Sequence, residues 1–438
     1  MPDSRPEQPS SPDSPDSPDS PDSPSTASSG ARSPVAGSPG AGSLLLCGAR
    51  LTDGRTVDVR LGDGRIEAVG TTGSLTARAA RVDLSGYLLL PAPAEPHAHS
   101  DTALSALFEG PVPYDVADVQ RRATEAALLQ LGHGATALRS HVRIGGVQGL
   151  DPLRAVLQAR RSLRGLVDLS VVAVPRLLTG VAGADGLALL RDAVKMGSSV
   201  VGGCPDLDPD PTGYVETVLD LAAEHGCAVD LHTDGGDPAR LARLAAMAGG
   251  LRRVAVGPCG GLGLLPADVA ARTAERLAAA GVTVVCLPQG GCGGVEGRET
   301  APAGLLHQAG VRLAAGSGAL RDVANPVGRG DPLEAAYLLA SRHGLRPEEA
   351  YAAVSTAARA ALHLPEVRVE AGFPAELLAV RGDTLAGALS LAYTRVVVHR
   401  GRVVARTSAV REYCDSAAAV ALDLPRQGAL RRQPGRGA

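Results

Sequence analysis

From Tyr87 to Ala315 the chain alternates short apolar runs of strand character with stretches whose apolar residues recur at helical spacing. The strand candidates are Tyr87 to Leu90, Ala135 to Val142, Leu166 to Val174, Ser199 to Val201, Ala228 to His232, Val254 to Val256, Val282 to Leu287 and Val311 to Ala315. Helical patterns lie between them, among them Val116 to Leu131, Pro152 to Leu163, Gly213 to His225 and Ala267 to Ala280. Eight such strands within about 250 residues predict an α/β fold, a (β/α)8 TIM barrel whose loops after the strands form one chemical face. Short β segments also precede this region (Leu44 to Cys47, Val57 to Leu61, Arg65 to Val69) and follow it (Glu376 to Val380, Arg395 to His399, Arg402 to Ala405). They predict a small β-sandwich formed by both ends of the chain. The expected organisation is a Ser/Pro/Asp-rich tail over 1–43, a sandwich over 44–85 and 371–410, a barrel over 86–370, and a C-terminal tail over 411–438.

Composition narrows the function classes. The N-terminal tail repeats Ser-Pro-Asp from Ser11 to Pro24 and has too little apolar surface to offset its ordering entropy, so it is expected to be disordered. Over the 438 residues, 43 basic and 46 acidic side chains give a net charge of −3 with no long basic run, which points away from nucleic acid and from anionic membrane surfaces. No continuous apolar stretch reaches about 18 residues, and the N-terminus lacks the apolar core of a signal peptide, so a cytoplasmic protein is expected. Seven scattered cysteines without a CxxC pair agree with reduced thiols.

Three histidines carry the chemistry. His97 and His99 sit two residues apart in Glu95-Pro96-His97-Ala98-His99-Ser100-Asp101, so in an extended segment both imidazoles point to the same side. His232 ends the apolar run Val229-Asp230-Leu231-His232 and would open on the same barrel face. Neutral imidazole is the commonest side-chain ligand of divalent metals, so the three would hold Zn or Fe with one coordination position left open. The alternative is ordinary strand-end histidines with satisfied hydrogen bonds. The glycine-rich Gly257 to Gly261 and Gly290 to Gly294 segments lack the Lys-Ser/Thr ending of a phosphate loop and read as flexible barrel-face loops, with Cys259 and Cys292 near the mouth.

These motifs, with Arg139 to Gly145, Asn325 to Asp331 and the closing β segments, resemble the cytosine deaminase branch of the metal-dependent amidohydrolases from about Leu44 to Thr407. The resemblance implies a barrel plus a sandwich from both ends and often a homo-oligomer. It also implies one divalent metal held by the HxH pair, a His after the fifth strand and an Asp after the eighth. A Glu three residues past the fifth-strand His shuttles protons in that family, and a His after the sixth strand orients water. His97, His99 and His232 match the metal positions. Gly235 stands where the family has Glu, Pro258 where it has His, and Gly318 where it has Asp. On the substrate side, Val174-Pro175-Arg176 replaces a glutamine segment, Ala324 a tryptophan, and Arg143 an acid.

A positioned carboxylate typically supplies about 10²- to 10⁴-fold in rate, and Gly235 has no group to do so. Asp234 and Asp237 flank that position and are the candidate replacement bases. Asp234 also reads as a turn acid capping the helix that begins near Pro238. Arg143 and Arg176 are candidates to pair with an anionic group of a changed substrate. Three functions follow: hydrolysis of a non-peptide C–N bond in a small cyclic amide or amidine, with cytosine itself disfavoured; a catalytically silent relative that acts in binding, assembly or regulation; or a hydrolase of changed substrate with Asp234 or Asp237 as base and Arg176 or Arg143 paired to an anionic group. Deleting the residues before Leu44 is expected to shift the thermal unfolding midpoint by less than about 5 °C, since a larger drop corresponds to a kcal/mol or more of lost contacts.

Overall fold

The computed structural model describes residues 43–76, 80–108, 110, 112–251, 253–290 and 299–409. The Ser-Pro-Asp tail, the C-terminal tail, Cys292 and Cys414 lie outside the described residues. Eight strands pair in parallel in chain order: Ala94–Ala98, Ala137–Ile144, Asp168–Pro175, Val200–Gly203, Ala228–Thr233, Val254–Pro258, Thr283–Cys286 and Arg312–Ala315. Ala98 bridges to Gly318 in parallel, which brings the first strand against the end of the eighth and closes the (β/α)8 TIM barrel. Glu95 ties the same seam, accepting hydrogen bonds from Ser317 N at 2.8 Å, from Ser317 Oγ and from His97 N at 3.0 Å. Burial pushes the Glu95 carboxyl up to about 7 against these hydrogen bonds.

Strand periodicity sorts the side chains. Leu138, Val142, Ile144, Val229, Leu231, Val254 and Val256 join the main core with the surrounding helices. The alternate positions turn into the lumen and carry Arg139 and His141 on the second strand, Asp230 and His232 on the fifth. Among the described residues no helix is long and apolar enough to cross a membrane.

The first barrel strand is not the one expected. Tyr87–Pro91 pairs antiparallel with Leu377–Arg381 in a second sheet, and Ala94–Ala98 takes its place in the barrel. The reason is that Tyr87–Pro91 is buried on both sides: Leu88 and Leu90 pack into the barrel core, Leu89 into the core of the second sheet. A strand covered on both faces reads as a continuous apolar run whichever sheet it joins. Ala94–Ala98 is fully buried too, yet its Glu, Pro and His disguise it.

The second sheet runs Arg402–Thr407, Arg395–His399, Leu377–Arg381, Tyr87–Pro91, Leu44–Arg50, Thr56–Gly62, Arg65–Thr71, with Ala80–Asp83 parallel to Leu44–Arg50. Both ends of the chain thus build it, around Leu46, Val59, Leu61, Ile66, Leu377 and Val398. Its strand Arg395–His399 is fastened to the barrel by a buried ion pair. Arg395 donates through Nη1 to Asp331 Oδ1 at 2.8 Å and through Nη2 to Oδ2 at 2.7 Å, and Asp331 caps the helix Pro332–His343 through Leu333 N at 2.9 Å. Removing one member leaves the other charged and buried. Arg395→Ala is expected to cost about 3–5 kcal/mol in denaturant unfolding, and a loss under about 1 kcal/mol would show that the pair does not fasten the two parts.

Candidate functional site

His97 and His99 lie at the end of the first barrel strand and His232 near the end of the fifth, so all three open on the face formed by the strand C-termini. One ligand nitrogen from each falls within 4.8 Å of the others. Their ring centroids are 5.1 Å apart for His97 and His99, 5.1 Å for His97 and His232, and 5.8 Å for His99 and His232. Two metal–nitrogen bonds of about 2.1 Å span about 4.2 Å at most, so small side-chain rotations close this set on one point. His99 Nε2 is buried with no hydrogen-bond partner.

The electrostatics favour neutral rings. Burial, and then the neighbouring His141, His232 and His99, hold His97 well below the usual histidine range. Burial, followed by His141 and His232, does the same to His99, and burial with His141 brings His232 down to about 4. Neutral imidazole is the form that ligates metal.

Beneath the three lie Arg139 and Asp230, with His141 beside the imidazoles. Arg139 reaches across the lumen from the second strand to the fifth, donating from Nη1 to Asp230 Oδ2 at 2.8 Å. His141 stacks on His97 with centroids 4.0 Å apart, and its Nε2 is 3.2 Å from Asp230 Oδ1. Burial works to raise the Asp230 carboxyl, but His141 and Arg139 prevail and hold it down to about 2. The signal was available: the i, i+2 rule that pairs His97 with His99 also pairs Arg139 with His141 and Asp230 with His232.

Above the histidines is a cavity of about 570 Å³ lined by His99, His141 and His232, with Arg143, Arg176 and Asp322 as its charged residues. Both arginines expected on the substrate side therefore stand at the mouth, and the Arg143 side chain is 70% exposed. The Asp322 oxygens are already engaged, accepting from Thr102 Oγ1 at 2.9 Å, Ala324 N at 2.8 Å and Asn325 N at 3.0 Å.

The two candidate bases are placed elsewhere. Asp234 accepts from Gly261 N at 3.1 Å, and Asp237 caps the helix Pro238–Ala248 through Ala239 N and Arg240 N, each at 3.0 Å. Neither lines the cavity. The helix-capping role thus belongs to Asp237, and Asp234 holds the loop after the sixth strand. Asp101 accepts from Arg143 N at 3.2 Å beside the mouth. Cys259, expected near the mouth, is fully buried with its thiol pushed up by burial, while Cys204 lines the cavity.

A sequence profile of the Amidohydrolase family matches residues 105–405. Pterin deaminase from Rhizobium rhizogenes (strain K84 / ATCC BAA-868) is 27% identical over 389 residues, which cover 80% of this chain and 88% of the relative. The crystal structure of N-isopropylammelide isopropylaminohydrolase from Burkholderia multivorans ATCC 17616 aligns with a TM-score of 0.74 at 25% identity, covering 84% of this chain and 100% of that one. That of 5-methylcytosine deaminase from Klebsiella pneumoniae liganded with 5-fluorocytosine shares the fold, with a TM-score of 0.73 at 24% identity over 85% of this chain and all of that one.

Gly235 and Gly318 have backbones shaped for glycine, with φ of 75° and 69°. A Cβ at 318 would meet Leu287 Cδ1 at 2.9 Å, and one at 235 would lie 3.3 Å from Leu241 Cδ2 and 3.4 Å from the Cys259 backbone. Gly235→Glu and Gly318→Asp are each expected to destabilise by about 1–2 kcal/mol, the cost of left-handed backbone for a residue with a Cβ. Denaturant titration checks this, and neutral substitutions would show that the loops adapt freely.

Proposed function

The chain belongs to the amidohydrolase family, and on that premise we propose that its barrel mouth holds one divalent metal ion, zinc or iron, on His97, His99 and His232 and hydrolyses a non-peptide C–N bond in a small cyclic amide or amidine. The observation that carries this reading is the convergence of three neutral imidazoles, two of which, His99 and His232, line a ligand-sized cavity. Bound there, the metal supplies a Lewis acid and lowers the pKa of water.

The protein's own groups supply orientation. Arg143 and Arg176 bring two guanidinium charges to a cavity whose single lining carboxylate, Asp322, is occupied by its own hydrogen bonds. Such a mouth suits a substrate that bears an anionic or strongly hydrogen-bond-accepting group. Cytosine is a poor fit to this reading, because Gly235, Pro258 and Gly318 replace the family's proton-handling and metal-binding groups, and Arg176 and Ala324 its ring-recognition groups. For location we propose the cytoplasm, supported by the free thiols of Cys47, Cys204, Cys227, Cys259 and Cys286.

The test begins with the metal content of the purified protein and proceeds to amine or ammonia release from a panel of nitrogen heterocycles. Pterin and N-isopropylammelide, the compounds in its relatives' names, come first. The expected result is turnover of at least one compound, reduced about 100-fold or more in His99→Ala as the metal at the His97, His99 and His232 position is lost. A folded, metal-loaded protein that hydrolyses none of them would overturn the enzyme reading in favour of a catalytically silent relative.

A further inference from the structure

We propose that the barrel holds a divalent transition-metal ion at a second, inner position bounded by His97, His141 and Asp230, where Asp230 provides the carboxylate ligand that Gly318 cannot. Both positions draw on His97, whose neutral imidazole offers one lone pair and so ligates at one of them at a time, while His141 and Asp230 belong to the inner position alone. Ligand atoms of these three side chains lie within 4.8 Å of one another, and all three side chains are buried.

Two observations point to an ion there. First, His141 is 1% exposed and Asp230 0%, yet neither ring nitrogen of His141 nor Asp230 Oδ1 makes a hydrogen bond. Buried polar atoms without hydrogen bonds are rare in native proteins; here Nε2 and Oδ1 face only each other and Nδ1 has no hydrogen-bond partner, which marks a site that a further group would complete. Second, His141 Nε2 and Asp230 Oδ1 stand 3.2 Å apart without hydrogen-bond geometry. Two metal bonds of about 2.1 Å meeting near the tetrahedral angle place their donor atoms about 3.4 Å apart, so this spacing is that of neighbours on one ion.

The surroundings fit the same occupant. Arg139 occupies Asp230 Oδ2 at 2.8 Å, which fixes the carboxylate and leaves Oδ1 directed to the shared point. Two imidazoles and one carboxylate with a fourth position open form an established zinc donor set. Proton exchange between His141 and Asp230 does not account for the arrangement, because it leaves His141 Nδ1 without a partner in either state.

The experiment uses the full chain. Crystals grown with zinc are measured at the zinc edge, and the expected anomalous peak lies within about 2.5 Å of both His141 and Asp230. Cobalt(II) titrations then follow visible absorption in the parent, in His99→Ala and in His99→Ala combined with His141→Phe, which keeps the ring stack. His99→Ala is expected to retain a cobalt site, and the added His141→Phe to weaken it at least about tenfold. An anomalous peak confined to His99 and His232, or a His99→Ala protein that binds no cobalt, overturns the inner position and leaves the outer reading intact. A peak at the inner position alone sustains this proposal and overturns the outer reading. No peak at either position overturns both, and because the crystallographic test uses the unaltered protein it does not depend on any variant folding.

Discussion

The Arg139–Asp230 ion pair spans the barrel lumen and sets the height of everything above it. Strands two and five are not neighbours, so this contact crosses the interior instead of running along the sheet. Such a pair is costly to bury and tolerable only with good geometry and further hydrogen-bonding partners. Its geometry is imposed by strand periodicity: two residues along each strand from the pair stand His141 and His232, and the first strand adds His97 and His99 in the same alternation. The imidazole cluster is therefore a second storey on a charged floor. The neutral rings of His97, His99 and His232 follow from the burial that the closed barrel enforces.

Much of this could be read from the residues alone, for identifiable reasons. The barrel announced itself because seven of its eight strands are apolar runs at regular intervals. The histidines stood out because His97 and His99 share a face and His232 ends a strand. The first barrel strand was hidden because Glu95, Pro96 and His97 interrupt the apolar run of a strand that is nonetheless buried along its whole length. Arg139 and Asp230 were hidden for a related reason. Each is an isolated charge inside an apolar run, and only the three-dimensional closure shows that the two charges meet. Asp234 and Asp237 illustrate the opposite case: acids beside a functional residue were spent on backbone amides of the following loop and helix.

The two glycines expected to stand at the family's carboxylate positions are held in backbone that suits glycine. Gly235 and Gly318 lie in left-handed backbone with neighbours pressed close to where a Cβ would sit, so these loops are drawn in around hydrogen. The cavity that results carries arginines at its rim and imidazoles at its floor, with its one lining acid occupied.

Within the strand Tyr87–Pro91, Leu88 and Leu90 belong to one core and Leu89 to the other. A segment that serves as wall to both compartments cannot be assigned to either. A cut placed beside it would expose leucines on whichever side was removed, and neither fragment would keep a sealed interior. The sheet made by the chain ends is thus less an appended module than the outer half of a shared partition. Changes that loosen it reach the imidazole cluster through Ala92 and Pro93, the two residues that separate that partition from the first barrel strand.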